Sequence, residues 1–293
     1  MKIIENCPVC QNTAFKKFLK ARDYTVSKEK FDIVECINCG FHFTNPIPDK
    51  EKIGNYYKSE KYISHSSSKK GLINYLYNVV RNKTLKNKVK WIKHEVAGRN
   101  LLDIGSGTGH FLKETKENGF NSLGIEPSQD AREFAHSENG VRSVPQEELY
   151  KIEKNSFDVI TMWHVLEHIY DLQKDLRIVN KILHPSGKLF IAVPNMNSFD
   201  ARFYKKYWAA YDVPRHLYHF KQINLSRLML DYGFKLKKVI PMKYDAYYIS
   251  MLSEKYRSRL FFLGPIVGFI SNRLAKRFGY SSQLYIFEKT TEL

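Results

Sequence analysis

Residues 100–112, NLLDIGSGTGHFL, place an apolar strand directly before a glycine-rich turn. The strand ends in Asp103, and glycines follow at positions 105, 107 and 109. A turn of this composition between a strand and a helix lets a nucleotide-like ligand approach the backbone closely. The fingerprint of dinucleotide-binding folds is GxGxxG, and here the third glycine comes one residue early. The segment predicts an α/β fold with a ligand at the carboxyl end of this strand.

Six further apolar segments alternate with helical patterns along the chain. They are predicted as strands at residues 122–126, 141–144, 157–162, 188–193, 234–240 and 283–288. Alternating strands and helices require a parallel sheet that is covered on both faces. Sites in such sheets lie beyond the carboxyl ends of the strands, so Asp103 and Glu126 are expected at one crevice. The carboxylate of Glu126 can accept hydrogen bonds from both hydroxyls of a ribose.

Three motifs resemble those of class I S-adenosylmethionine (SAM)-dependent methyltransferases. They are the glycine turn at 105–109, His164-Val-Leu-Glu-His168, and Asp212-Val-Pro-Arg-His216 with Tyr218-His219-Phe220. The resemblance is to a bacterial group in which a zinc-ribbon-like N-terminus precedes the methyltransferase domain, and whose members modify surface polysaccharides and small molecules. It implies a Rossmann-like sheet of seven mostly parallel strands with an antiparallel last strand.

The resemblance also implies which residues hold SAM. Asp103 would orient the ammonium group, the glycine turn would cradle the aminoacyl end, and Gln146 or Glu147 would contact adenine. The implied cofactor-binding residues are Asp103, Gly105, Ser106, Gly107, Gly109, Glu126, Gln146 and Met162. The alternative for Asp103 is an acid that caps the loop after its strand.

All four cysteines lie near the N-terminus as two CxxC pairs, Cys7 with Cys10 and Cys36 with Cys39. Two such pairs suit a tetrahedral zinc ion bound by four thiolates, with a hairpin between the pairs. We expect a zinc-ribbon-like module at residues 1–45, which is too small for a core of its own and folds around a structural zinc. Two disulfides or unrelated buried thiols are the alternative.

Residues 50–95 contain twelve lysines or arginines and three glutamates. Apolar residues at spacings of three and four between Ile73 and Val96 predict an amphipathic helix in this segment. Its basic face is either solvated or a rim that attracts an anionic substrate, and Ser64 to Ser68 form a candidate hinge. The predicted domains are the module at 1–45, a basic helical cap at 46–98 and the methyltransferase domain at 99–293.

His164 and His168 are four residues apart and are expected on one helix face, with Glu167 and Asp171 close by. Three interpretations stay open. These residues bind a divalent metal that polarises an acceptor hydroxyl; one histidine, preferably His164, lines the methyl-transfer pocket as a catalytic residue; or the histidines are structural and pair with Glu167.

An insertion at residues 194–232 is dense in aromatic and polar side chains. Loops on a rigid sheet are where substrate specificity is usually determined. His216 is the candidate general base, because a neutral imidazole suits that role near neutral pH. His219 is spaced to share its face, and Arg215 could clamp a carboxylate or phosphate. A hydrophobic lid is the alternative.

The segment 260–270 is strongly apolar and is flanked by arginines and lysine. Eleven residues cannot cross a bilayer. The segment predicts a peripheral contact in the headgroup region of a membrane, a buried helix broken at Gly264 and Pro265, or a contact between two copies of the chain.

The 293 residues include 47 lysines and arginines against 30 acidic residues, a net charge of +17 that favours anionic partners. No signal peptide or membrane-spanning run is visible, so the cytoplasm is the expected location. The sequence predicts methyl transfer from SAM to a small acceptor, such as a sugar, sugar nucleotide or surface-glycan precursor. RNA methylation through the zinc module and basic surface is the first alternative. An NAD(P)-dependent oxidoreductase and a binding protein with a degenerate pocket are the others.

Overall fold

A computed structural model describes residues 1–57, 72–258 and 260–290 of the chain, without the side chains of residues 72–78. Within these residues the larger sheet contains seven strands. They are β4 (Asn100–Ile104), β5 (Asn121–Ile125), β6 (Ser143–Val144), β7 (Phe157–Trp163), β8 (Leu183–Pro194), β10 (Phe234–Pro241) and β11 (Ser282–Lys289). The predicted seven-stranded sheet is confirmed, although β6 is shorter and β8 begins earlier than the sequence pattern indicated.

The order of the large sheet is β10-β11-β8-β7-β4-β5-β6. Strands β4 to β8 pair in parallel, whereas β11 pairs antiparallel with both β8 and β10. The predicted antiparallel last strand is therefore confirmed. Because β4 and β5 are parallel neighbours, with Ile104 opposite Ile125, the residues that follow them emerge side by side.

Helices connect these strands. They are α1 (Leu72–Glu95), α2 (His110–Glu117), α3 (Gln129–Ser137), α4 (Leu172–Ile182), α5 (Phe199–Tyr204), α6 (Gln222–Asp231), α7 (Lys243–Arg257), α8 (Gly264–Arg273) and α9 (Ala275–Phe278). Single turns of 3-10 helix occur at Ile53–Tyr56, Gln146–Lys151, Leu166–His168, Lys205–Tyr207, Ala209–Tyr211 and Phe261–Leu263. None of the helices in the described part of the chain is long and apolar enough to cross a membrane.

The large sheet is buried on both faces. Leu101 and Leu102 are both fully buried, yet they belong to two separate hydrophobic clusters, because successive side chains of a strand point to opposite faces. One cluster includes α4 and α6, and the other includes residues of α1 and α2. Strands with two covered faces account for the continuous apolar runs that the sequence shows.

Helix α1 corresponds to the predicted amphipathic helix, and its second half is docked on the protein. Val89 and Ile92 are buried in the cluster beside α2, whereas Val79 and Val80 are exposed. The predicted hinge at residues 64–68 lies outside the described residues.

A second sheet joins the N-terminal segment to the insertion. Its order is β1 (Phe15–Arg22), β2 (Lys30–Cys36), β3 (His42–Thr44) and β9 (Tyr218–His219), all antiparallel. The fourth strand comes from the predicted insertion, and Phe41 packs against Phe220 at 5.5 Å between ring centroids. The cysteine module therefore shares both a sheet and a hydrophobic core with the methyltransferase-like part of the chain.

Candidate functional site

The glycine turn connects β4 to α2 and has an open centre. Gly105, Gly107 and Gly109 all have positive φ, at 74°, 52° and 79°. A Cβ on Gly109 would lie 2.6 Å from Val141, and one on Gly105 would overlap Val165, so packing requires glycine at these two positions. Among the described residues, a Cβ on Gly107 would meet no atom within 4 Å. The middle of the turn is thus where a ligand can approach the backbone.

Asp103 lies at the end of β4 with only 2% of its surface exposed. Its carboxylate accepts a hydrogen bond of 2.6 Å from the Thr161 hydroxyl. Burial raises the pKa of Asp103 to about 7, although Thr161 and the ammonium of Lys88 oppose the shift. A cation placed against Asp103 would bring this carboxyl back to its charged form.

Glu126 follows β5 on the other side of the turn. One carboxylate oxygen accepts from the Gly107 amide at 2.8 Å, and the other accepts from the Ser128 amide at 2.9 Å. Two acidic groups therefore flank the glycine turn, with Asp103 buried and Glu126 partly exposed. This arrangement suits a ligand that carries an ammonium group and neighbouring hydroxyls, and the residues fit the aminoacyl and ribose parts of SAM.

The remaining predicted cofactor residues occupy different surroundings. The Ser106 hydroxyl bonds to Ser143 at 2.9 Å and so ties the turn to β6. Gln146 begins a 3-10 turn and directs its amide toward Asp175 at 3.4 Å. Met162 is fully buried in the core, on one face of the large sheet. Its assignment as a cofactor-binding residue stays a prediction.

Lys88 and Trp163 were missed by the sequence analysis. The Lys88 ammonium on α1 lies 4.1 Å from the centroid of the Trp163 ring, at the end of β7. Burial lowers the pKa of Lys88 to about 8, although Asp103 and Asp245 favour its charged form. The sequence does carry a signal for Lys88. It lies three residues after Leu85 and four before Ile92, so it shares the apolar stripe of α1 that faces the protein.

His164 does not lie on a helix face. It follows β7 with a positive φ of 59°, and the 3-10 turn begins only at Leu166. Its Nε2 atom is 3.2 Å from Asp245, and its Nδ1 atom is 3.5 Å from Glu167. Burial disfavours the imidazolium, but these two carboxylates raise the pKa of His164 to about 9. The prediction of a shared helix face with His168 is wrong, because the strand end turns through a left-handed residue.

His168 and His216 instead lie together, with ring centroids 4.6 Å apart. The insertion reaches this position because the Leu217 amide donates to the Glu167 carbonyl at 2.8 Å. Asp171 does not join the group, since it pairs with Lys50 at 2.7 Å on the surface. The predicted metal-ligand set of His164, Glu167, His168 and Asp171 is therefore not assembled.

Residues 77–239 match a family model described as a methyltransferase domain. The chain belongs to this family. The match makes the protein a methyltransferase, and it shares the fold of SAM-dependent methyltransferases of known structure. The predicted enzyme class is confirmed, and the oxidoreductase alternative is wrong.

Relatives of the methyltransferase include two ubiquinone biosynthesis O-methyltransferases. The Pseudomonas aeruginosa enzyme is 26% identical over 174 residues, which cover 54% of this chain and 75% of that protein. The Acinetobacter baumannii enzyme is 28% identical over 121 residues, or 38% of this chain and 51% of that protein.

Solved structures share the fold at lower identity. Magnesium protoporphyrin IX methyltransferase from Synechocystis, with bound S-adenosylhomocysteine (SAH), is 14% identical with a TM-score of 0.55, covering 83% of this chain and all of that one. A SAM-dependent methyltransferase from Archaeoglobus fulgidus is 20% identical with a TM-score of 0.51, covering 71% and 94%.

The four cysteines of the methyltransferase lie in one cluster. The Sγ atoms of Cys7 and Cys39 are 3.6 Å apart, and those of Cys10 and Cys36 are 3.5 Å apart. Disulfide sulfurs would be about 2 Å apart. Four thiolates at about 2.3 Å from one tetrahedral zinc ion would be roughly 3.8 Å apart, so the donor set and spacing fit such an ion.

Arg215 of the methyltransferase is not free to clamp a substrate. Its guanidinium is only 4% exposed and bonds to Asp212 at 2.6 Å, Asp23 at 3.0 Å and the Tyr56 carbonyl at 2.8 Å. The prediction of an anion clamp is therefore wrong, and the residue instead fastens the insertion to the N-terminal sheet. His219 is likewise internal, with its Nε2 atom 3.1 Å from the Thr44 hydroxyl.

Substitution Arg215→Met is expected to destabilise the methyltransferase by about 3–5 kcal/mol, because the buried Asp23 carboxylate loses its cationic partner and keeps only its hydrogen bonds from residues 25–27. Urea unfolding monitored by circular dichroism measures this change. The exposed Arg227→Met provides the matched control, with an expected cost below about 0.5 kcal/mol. Equal stability of the two variants would contradict the assignment of Arg215 to a buried ion pair that holds the insertion against the N-terminal sheet.

The apolar segment 260–270 is exposed, so its interpretation as a buried helix is wrong. Large side chains from Leu260 through Leu274 each expose more than a third of their surface. Those are Leu260, Phe261, Phe262, Leu263, Ile266, Phe269, Ile270 and Leu274. Arg273 stacks on Phe269 at 5.0 Å, at the border of this apolar surface. Contact with a membrane or with a second copy stays a prediction.

Proposed function

We propose that the enzyme transfers the methyl group of SAM to an oxygen atom of a small anionic acceptor, such as a phosphorylated sugar, sugar nucleotide or surface-glycan precursor. The observation that carries this proposal is the Lys88 ammonium over the Trp163 ring beside the cofactor carboxylates. An aromatic face suits a sugar ring, and a desolvated ammonium suits a phosphate or carboxylate. Oxygen as the acceptor atom rests on the names of the O-methyltransferase relatives.

The insertion adds a second concentration of positive charge. A cavity of about 770 Å³ lies between β1 and α5, and none of the described residues that line it is acidic. Its cationic lining residues are Arg202, Lys205, Lys206, Lys221 and Arg257. Burial lowers the pKa of Lys221, with neighbouring Arg202 and Lys16 adding to the shift, so an anion there would relieve repulsion. The charge of this cavity suits an anionic ligand.

When bound, SAM supplies an electrophilic methyl group on its sulfonium. The buried carboxylate of Asp103 would bind its ammonium. Glu126 would accept hydrogen bonds from the ribose hydroxyls in place of those that it now accepts from the Gly107 and Ser128 amides. The open backbone at Gly107 would let the ligand lie against the turn. Across the crevice, His164 is held between Asp245 and Glu167, and about a third of its side chain is exposed. Because both ring nitrogens face carboxylates, its role would be to present a positive charge to an anionic acceptor.

We also propose that Cys7, Cys10, Cys36 and Cys39 bind a structural zinc ion. Four sulfur ligands leave no open position for a substrate. The support is the spacing of the Sγ atoms and their position in the core shared with β9.

Substitution Lys88→Met is expected to raise KM for a phosphorylated acceptor about tenfold, which corresponds to about 1.4 kcal/mol of lost binding, and to change KM for a neutral acceptor far less. SAH affinity should not fall, because Lys88 competes with a cationic ligand for Asp103. Lys90→Met, on an exposed position of the same helix, is the control. An unchanged KM for every anionic acceptor would reject the role of Lys88.

The acceptor itself is identified by transfer of a labelled methyl group from SAM. Nucleotide sugars, sugar phosphates, neutral sugars and structured RNA are tested in parallel with the zinc-loaded full chain. We expect label on an oxygen of a phosphorylated sugar derivative. Label confined to a defined nucleotide of RNA would replace this proposal with the RNA alternative, which also uses the basic face of α1.

A further inference from the structure

Glu167, His168 and His216 form a cluster of metal-ligating side chains that neither methyl transfer nor the cysteine site uses. Glu167 and His168 lie on the 3-10 turn after β7, and His216 comes from the insertion. One potential ligand atom from each residue lies within 4.8 Å of the other two. Binding a cation would require only a small contraction of these atoms, since ligands about 2.1 Å from a metal lie roughly 3–3.5 Å apart.

Hydrogen bonds to the backbone prepare both imidazoles for this role. The Nδ1 atom of His216 is 2.8 Å from the Ala210 carbonyl, and that of His168 is 2.9 Å from the Arg215 carbonyl. A carbonyl only accepts, so each Nδ1 carries the hydrogen and each Nε2 keeps a lone pair. Metal-binding histidines characteristically donate their other ring nitrogen to such an acceptor, which fixes the ring orientation.

Glu167 supplies the second, independent observation. Its side chain is fully buried, and neither carboxylate oxygen has a hydrogen-bond partner among the described residues. One of its oxygens lies 3.5 Å from Nδ1 of His164, an ion pair without a hydrogen bond, and 4.0 Å from Nε2 of His216. This one ion pair leaves most of the lone pairs of a buried carboxylate unsatisfied, which is costly unless they coordinate a metal. The Glu167 carboxylate and the Nε2 lone pair of His216 are therefore available as metal ligands.

We propose that Glu167, His168 and His216 bind a divalent first-row transition-metal cation. Two imidazoles and one carboxylate suit Mn²⁺, Fe²⁺ or Zn²⁺, whereas the four thiolates of the cysteine site select zinc. Three protein ligands leave coordination positions open. Because Glu167 also contacts His164 at the crevice, the cation would lie next to the acceptor side of the enzyme. This assignment excludes His216 as a free general base, since its Nε2 atom would be occupied.

Mn²⁺ is the probe, because it binds nitrogen and oxygen ligands and competes poorly for the thiolates. Zinc-loaded full chain is titrated with MnCl₂, and unbound Mn²⁺ is followed by electron paramagnetic resonance. We expect one Mn²⁺ per chain, and at least a tenfold weaker affinity in Glu167→Gln, His168→Gln and His216→Gln. His219→Gln, a buried histidine of the same insertion outside the cluster, should bind Mn²⁺ like the parent protein.

Two further measurements keep this test separate from folding and from methyl transfer. Thermal melting should show that Mn²⁺ stabilises the parent and His219→Gln but not the three cluster variants. His168 is partly exposed, so its variant serves if the Glu167 variant does not fold. Calorimetric titration with SAH tests the cofactor site independently. The inference is overturned if the parent binds neither Mn²⁺ nor a second Zn²⁺ at millimolar concentration, or if the folded variants bind as the parent does.

Discussion

Substitution of Gly107 by alanine is expected to weaken binding of SAH at least about 100-fold, or roughly 2.7 kcal/mol, and to abolish methyl transfer. Gly107 has a positive φ, and its Cβ would lie more than 4 Å from every atom of the described residues, so the new methyl group would occupy the volume that the ligand needs. Isothermal titration with SAH measures the affinity directly.

Gly119→Ala is the matched control for the same backbone strain. Gly119 has a positive φ of 82° and, like Gly107, would carry an added Cβ more than 4 Å from every atom in the described part of the chain, but it lies after α2 and away from the crevice. Both variants should lose about 1–2 kcal/mol of stability, because alanine is unfavourable at positive φ. Only Gly107→Ala should lose affinity for SAH. Equal SAH affinity in the two variants would remove the glycine turn from the cofactor site.

Substitution Cys36→Ser is expected to release the zinc ion and to lower the melting temperature by at least about 10 °C, the shift that roughly 4 kcal/mol produces in a chain of this size. Cys36 is almost fully buried in the same hydrophobic cluster as Phe41. Methyl transfer should fall as well, because β3 holds β9, and the Leu217 amide just before β9 holds the turn that positions His164 through Glu167. Metal analysis and differential scanning calorimetry measure the two effects.

Ile37→Ser is the control for Cys36→Ser, because it introduces serine at the next residue, which is 62% exposed. This control should keep its zinc and melt within about 2 °C of the parent protein. SAH affinity should change little in both variants below their melting temperatures, since the cofactor residues lie on the large sheet. Retention of both zinc and stability by Cys36→Ser would show that the four sulfurs do not form a metal site.

The strands and the cofactor crevice were predictable because their signals are local. An apolar run that ends in Asp103 and continues into glycines specifies a strand, a turn and a helix within thirteen residues. The parallel pairing of β4 with β5 then follows from alternation of strands and helices, and it brings Glu126 to the same turn. The two CxxC pairs were predictable for the same reason, since each pair defines its own spacing.

Contacts between distant segments were not predictable from spacing. The helical interpretation of His164 failed because the chain leaves β7 through a left-handed residue and the imidazole turns to Asp245 on α7. The pair of His168 with His216 depends on the insertion folding back over the 3-10 turn. Arg215 gave a partial signal, since Asp212 lies three residues before it, but its partner Asp23 comes from the other end of the chain.

The hybrid sheet has a consequence for synthesis on the ribosome. Thr44 and its hydrogen-bond partner His219 are 175 residues apart, so strand β3 emerges long before the strand that completes its sheet. At translation rates of about 5–20 residues per second, that interval is on the order of ten to thirty seconds. During it, the edge of β3 and the ring of Phe41 remain uncovered in the nascent chain, a condition that favours aggregation. Early capture of zinc by the cysteines would keep the first three strands in order until β9 arrives.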